Sequence, residues 1–148
     1  IVFGDWSSDV CSSDLPYREQ DLDETTARCY AMIENIDDNM ARLTGKLAEL
    51  GIDDTTILIF MGDNGPQYDR YNGGLRGRKA QMYEGGIRVP FFARWHGHFP
   101  AGSRSETPAA NIDILPSMLA AAGIVPPATY SMDGIDIMPL LTGGEGDP

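Results

Sequence analysis

Ile57-Leu58-Ile59-Phe60-Met61-Gly62-Asp63-Asn64-Gly65-Pro66 is the stretch on which the reading of this chain turns. Five apolar residues run without a polar break and stop at an acid and an amide. Such a run predicts a strand over 55–61, with Ile57 to Met61 buried on both faces as in a parallel sheet covered by helices. Gly62, Gly65 and Pro66 punctuate the turn that follows. In open α/β sheets, ligands bind outside the carboxyl ends of the strands, which is where Asp63 and Asn64 fall. Both offer oxygen, the ligand type that hard cations such as calcium or magnesium prefer. Asn64-Gly65 is also an ordinary turn pair, and the turn needs no metal to explain it.

The residues that follow favour an anion site. Arg70, Arg76, Arg78, Lys79, Arg88 and Arg94 are six of the chain's eleven basic residues, although the whole chain carries a formal charge of −11. A cationic cluster inside an acidic protein suits a bound anion and not a nucleic-acid surface. Gly73, Gly74 and Gly77 lie among these side chains and allow the backbone to approach a ligand closely. Oxygen ligands followed by Arg and Lys are equipment for a sulfate or phosphate ester. A solvated, salt-bridged loop is the competing reading for any single arginine. Gly77-Arg78-Lys79-Ala80 is not a nucleotide-binding Walker loop, because the Gly-Lys-Ser/Thr ending is absent.

In order along the chain stand Phe60-Met61-Gly62-Asp63-Asn64-Gly65, Gly74-Leu75-Arg76-Gly77-Arg78-Lys79 and Tyr83-Glu84-Gly85-Gly86-Ile87-Arg88-Val89-Pro90. Asn111-Ile112-Asp113-Ile114-Leu115-Pro116-Ser117 and Asp133-Gly134-Ile135-Asp136-Ile137-Met138-Pro139-Leu140-Leu141 follow. This ordered set resembles the second half of a sulfatase catalytic domain, of the arylsulfatase-like branch of the alkaline-phosphatase superfamily. The resemblance covers roughly residues 26–143. It implies an α/β fold, part of a sandwich with a mainly parallel sheet flanked by helices. It also implies hydrolysis of a sulfate monoester, carbohydrate or aryl, with one bound Ca2+.

Carried onto this sequence, the resemblance makes Asp63 and Asn64 metal ligands and Lys79 the contact to the sulfate. The remaining metal ligands would come from paired aspartates that this chain does not contain. Arg76 and Arg78 receive no role, and Glu84 with Arg88, four residues apart, is a loop-ordering ion pair. Many relatives have Gly-Lys-Gly where this chain has Arg78-Lys79-Ala80, which bears on substrate preference. The family nucleophile is a Cys or Ser in Cys/Ser-x-Pro/Ala-x-Arg, matured to formylglycine, and no such motif occurs here. The chain is therefore expected to be a piece of the domain, truncated at both ends, and inactive alone. A phosphodiesterase or phosphonate monoester hydrolase of the same superfamily is the alternative enzyme. A non-catalytic binder of sulfated glycans is the alternative outside enzymes. The resemblance favours a periplasmic or extracellular location.

Residues 1–15 stand apart. Asp5-Trp6-Ser7-Ser8-Asp9-Val10-Cys11-Ser12-Ser13-Asp14-Leu15 resembles one reading frame of a widely used short-read sequencing adapter. It has neither helical nor alternating periodicity, and it lacks the basic start and apolar core of a signal peptide. It is expected to be non-native, leaving residues 16–148, one domain's length.

No apolar run approaches a membrane span. Cys11 and Cys29 make no disulfide framework and no zinc spacing, and Cys29 reads as a small buried or half-buried hydrophobe. Ile33, Ile36, Met40, Leu43, Leu47 and Leu50 form one apolar stripe on a long helix, with Asp21 and Glu24 as its capping box and Gly51 as its stop. A second strand is expected near Ile87 to Trp95, at an edge or bulged because of Pro90. His96-Gly97-His98 reads as a turn in which two histidines are too few for a metal. A second helix is expected from Asp113 to Ala122, with Asp113 as N-cap and Gly123 beyond its end. The tail is expected to pack by Ile135, Ile137, Met138, Leu140 and Leu141. Met32, Met40, Met82 and Met118 read as gap-filling core residues.

Overall fold

The computed structural model describes residues 15–67 and 72–144. The expectations for residues 1–14, including Cys11, and for Arg70 lie outside the described residues. The chain divides into two compact units, residues 1–53 and 54–148.

Among the described residues the first unit holds two helices, α1 (Leu15–Arg18) and α2 (Glu24–Glu49). The cap of α2 is Asp23 and not Asp21. Its carboxylate accepts from Thr26 N–H at 3.0 Å and from the Thr26 hydroxyl at 2.7 Å. Asp21 instead has a positive φ of 59° in the turn before the helix. Gly51 ends the helix as expected, at φ 65°. Its N–H donates to Ala48 O at 3.0 Å and that of Ile52 to Leu47 O at 3.1 Å, the paired bonds of a Schellman stop. Ala27 and Ala31 are the buried apolar residues of α2, while Ile33, Leu43 and Leu50 of the expected stripe are exposed. Cys29 is exposed, correcting the expectation of burial. Tyr17 packs its ring on Tyr30, with centroids 5.5 Å apart, and donates to Glu34 Oε2 at 3.0 Å. That bond holds the Tyr17 phenol above its ordinary pKa.

The second unit carries the strand that opened the sequence analysis. Strand β1 is Leu58–Met61, and a short helix α3 (Glu84–Ile87) precedes strand β2 (Phe91–Arg94). Among the described residues, β1 and β2 form one antiparallel pair, Leu58 opposite Arg94 and Met61 opposite Phe91. The expectation of burial on both faces fails: Leu58, Ile59 and Met61 are half-buried, and Phe60 is exposed and touches Phe92 across the strands at 6.3 Å between centroids. The second strand is shorter than expected because Ile87 closes α3. Pro90 lies just before the strand, where its missing N–H costs nothing and its carbonyl accepts from Gly62 N–H at 3.1 Å.

After β2, Trp95 anchors the turn at 96–99. Its indole N–H donates to Asp54 O at 2.8 Å, His98 stacks on it at 3.9 Å between centroids, and Phe99 meets it edge-on. His96 Nδ1 lies 2.5 Å from Asp54 Oδ1. Both histidines are thus engaged in packing the turn.

Helix α4 (Ile114–Ala121) and helix α5 (Met138–Leu141) are held by a polar clamp. Asp113, buried, stands at the N-cap position of α4 but does not cap it in the usual sense. Its Oδ2 accepts from Ala110 N–H at 2.7 Å and its Oδ1 from Ile135 N–H at 2.9 Å. Ser117, 1% exposed, donates to Asp113 O at 2.6 Å and accepts from Ile137 N–H at 2.9 Å. Gly134 passes so close to Ile112 O that a Cβ there would lie 2.1 Å from it. The tail packs through Ile137, while Ile135 is exposed; Met82, expected in a core, is also exposed. Gly123 closes α4 with a second Schellman stop.

Candidate anion and cation site

Site geometry begins where β1 ends. Asp63 is exposed, and its Oδ1 accepts from Asn64 N–H at 2.9 Å. Asn64, half-buried, donates from Nδ2 to Gly65 O at 3.0 Å. Asp63 Oδ2 and Asn64 Oδ1 take no hydrogen bond from the described residues. Two oxygens of the hard type are therefore offered from consecutive positions, a donor set that fits calcium or magnesium. Calcium takes six to eight oxygens, so these two make part of a coordination shell.

Three glycines set the floor beneath this turn. Gly65 is buried and donates to Gly86 O at 2.8 Å, and a Cβ on it would lie 1.8 Å from Gly85 O. A Cβ on Gly85 would lie 2.1 Å from Gly77 O, and one on Gly86 would lie 2.0 Å from Gln81 O. The turn after β1, the start of α3 and the cationic loop are thus stacked backbone on backbone. Only glycine permits that approach.

Lys79 is fixed to this stack by its backbone. Its N–H donates to Pro66 O at 2.9 Å, two residues past Asn64, and its side chain is exposed. Ala80 next to it has φ 67°, in the left-handed region that glycine favours. Arg78 N–H donates to Gln81 Oε1 at 3.0 Å and Arg78 O accepts from Gln81 N–H at 2.9 Å, so Gln81 ties the lysine loop. Asn72 Nδ2 bridges Leu75 O at 2.5 Å and Gly77 O at 2.9 Å. Arg76 lies over the Tyr83 ring, 3.8 Å from its centroid, and donates to the Tyr83 hydroxyl at 2.9 Å. The expected pair of Glu84 and Arg88 forms at 3.3 Å, with Glu106 a further 4.0 Å neighbour of Arg88.

The structure thus brings Asp63, Asn64 and the Lys79 backbone into one cluster of loops. It uses Arg76 and Arg88 for structure and leaves Lys79 and Arg78 without an ion pair among the described residues. Sequence reasoning missed Pro66 and Gln81 as the parts that position Lys79, and Tyr83 as the seat of Arg76. Gly85-Gly86 was the available signal, since two adjacent glycines at the start of a helix announce close backbone contact.

In this cluster a strand end carrying two oxygen-bearing side chains is joined by close-packed glycines to a lysine loop. Comparison with known proteins makes this specific. The model of the family described as Sulfatase matches residues 6–124. Arylsulfatase A of Homo sapiens is 37% identical over 118 residues, 76% of this chain and 23% of that protein. N-acetylgalactosamine-6-sulfatase of Sus scrofa is 35% identical over 118 residues, again 76% and 23%. The crystal structure of the PsFucS1 sulfatase from Pseudoalteromonas sp. superposes with a TM-score of 0.70 at 31% identity, covering 82% of this chain and 25% of that one. The chain belongs to the sulfatase family and has its α/β fold. It spans about a quarter of the length of the curated relatives it matches.

Proposed function

We propose that residues 57–90 are the part of a sulfuric ester hydrolase that receives a divalent cation on Asp63 and Asn64 and the ester sulfate on Lys79. The observation that carries the reading is the bond from Lys79 N–H to Pro66 O at 2.9 Å, which fixes the lysine's backbone beside the Asp63-Asn64 turn. A calcium ion, when bound, supplies Lewis-acid polarisation of the sulfate and a template for it. Lys79 supplies a positive charge to the non-bridging oxygens, where negative charge grows as the S–O bond breaks. The bond from Lys79 N–H to Pro66 O holds the root of that side chain beside the turn. Asn64 is half-buried, and its amide nitrogen donates to Gly65 O, which leaves the amide oxygen without a hydrogen bond from the described residues. The nucleophile, a formylglycine in this family, belongs to a motif that residues 1–148 do not contain. In this reading β1 and β2 are two strands, antiparallel to each other, of a sheet that is otherwise mainly parallel.

Calorimetric titration of the chain with calcium tests the metal assignment. Two protein oxygens plus water should give weak binding, with Kd about 10⁻⁴–10⁻³ M. Asp63→Ala should weaken it by about tenfold or more, since the carboxylate is the charged ligand. Calcium heats unaltered by Asp63→Ala would remove Asp63 from the site.

A further inference from the structure

Beside the lysine loop lies an open depression of about 470 Å³, bordered by Asn72, Leu75, Arg76, Arg78 and Gln81 with glycines between them. Among the described residues its lining contains two guanidinium groups and no carboxylate, within a chain whose formal charge is −11. The two arginines are not equivalent. Arg76 is committed to Tyr83, by a 2.9 Å hydrogen bond and by its place 3.8 Å from the ring centroid. Arg78 is exposed and has no acidic partner among the described residues, while both its backbone groups are held by Gln81. A fixed backbone with a free, always-charged fork is suited to a planar or tetrahedral oxyanion. Arg78 and Lys79 are neighbours, so their Cα atoms stand about 3.8 Å apart. Gly74 leaves open space where a Cβ would stand, and Leu75 adds an apolar surface on which a sugar ring can lie.

We propose that Arg78 is a specificity-determining residue which reads a second anionic group, a further sulfate or a carboxylate, on a sulfated saccharide whose ester sulfate is held by Lys79. The proposal rests on the sulfate assignment of Lys79 given above. It places the substrate among multiply charged saccharides and not among simple aryl sulfates.

The test is calorimetric titration of the chain, and of Arg78→Gln and Lys79→Ala, with three probes at low ionic strength. The probes are galactose 6-sulfate, galactose 4,6-disulfate, and a disaccharide of glucuronate with galactose 6-sulfate. The wild type should bind at least one doubly charged probe about fivefold more tightly than galactose 6-sulfate, the size expected of an exposed charge pair. The probe that gains identifies the second anion as sulfate or carboxylate. Arg78→Gln should abolish that gain, weakening the doubly charged probe more than galactose 6-sulfate, and Lys79→Ala should weaken all three probes. Among the described residues the Arg78 side chain makes no hydrogen bond or ion pair, so unfolding of Arg78→Gln, read by circular dichroism, would itself contradict the role. A gain that survives Arg78→Gln, or no gain in the wild type, overturns the proposal while leaving Lys79 in place. Affinity for galactose 6-sulfate that ignores Lys79→Ala overturns the sulfate assignment and the proposal with it.

Discussion

The backbone N–H of Lys79 donates to the backbone carbonyl of Pro66 at 2.9 Å, so the lysine loop is latched to the end of the turn that carries Asp63 and Asn64. No side chain takes part in that latch. Replacing the Lys79 side chain therefore removes a charge without releasing the loop, and Lys79→Ala becomes a clean probe of the ammonium.

Gly65 should not tolerate alanine. The new Cβ would lie 1.8 Å from Gly85 O, a backbone atom that cannot swing aside. Gly65→Ala should destabilise the chain by about 3 kcal/mol, the upper range for overpacking. Gly45→Ala is the opposite case, since nothing lies within 4 Å of its Cβ position on the exposed side of α2. That change should stabilise by about 0.5–1 kcal/mol through helix propensity. Urea unfolding of both variants measures the contrast, and equal signs would contradict the backbone stack.

Ala80 should accept glycine with a gain. It sits at φ 67°, where a Cβ costs about 1–2 kcal/mol, and glycine gives back about 0.5–1 kcal/mol in chain entropy. Ala80→Gly should therefore raise stability by about 0.5–1 kcal/mol in the same unfolding assay. Lower stability would show that the left-handed turn next to Lys79 is not strained.

The clamp at Asp113 and Ser117 should be sensitive to isosteric change. Both Asp113 oxygens accept backbone N–H groups, so Asp113→Asn must turn an amide donor toward one of them. Ser117→Ala leaves the buried N–H of Ile137 without its acceptor. Each should cost about 1–3 kcal/mol, the penalty of an unsatisfied buried group. Thermal unfolding that matches the wild type in either variant would contradict the clamp.

The local devices of this fold were legible in the sequence, and the long-range ones were not. The length of α2 and its stop at Gly51 follow from spacing and from one glycine at the right place. Its start was misread by two residues because Asp23 and Thr26 do the work that Asp21 and Glu24 were expected to do. A hydroxyl three residues after an acid is as good a signal as a carboxylate. Strand β1 was legible as a strand, but its antiparallel pairing with β2 depends on a chain return of some thirty residues, which no local pattern encodes. Burial failed for the same reason: Phe60, Ile33 and Leu43 are apolar by type, yet exposure depends on what packs against them. For the site, residue types pointed to Asp63 and Asn64 as oxygen ligands beside a cationic cluster, and the sulfate contact at Lys79 came from the family resemblance. The latch at Pro66 joins two backbone groups, and the brace at Gln81 and the Asp113 bond to Ile135 each join a side-chain oxygen to a backbone N–H; backbone partners leave no compositional mark.

The most direct test of the account is the coupling of calcium and sulfate at this cluster. The affinity of the chain for galactose 6-sulfate is measured by calorimetry with saturating calcium and with chelator, for the wild type and for Lys79→Ala. If both ligands occupy one site, calcium should tighten sulfate binding about tenfold, within the usual range of coupling between sites. Lys79→Ala should weaken it under both conditions. Sulfate affinity that is indifferent to calcium and to Lys79 would contradict the claim that Asp63, Asn64 and Lys79 serve one sulfate-ester site.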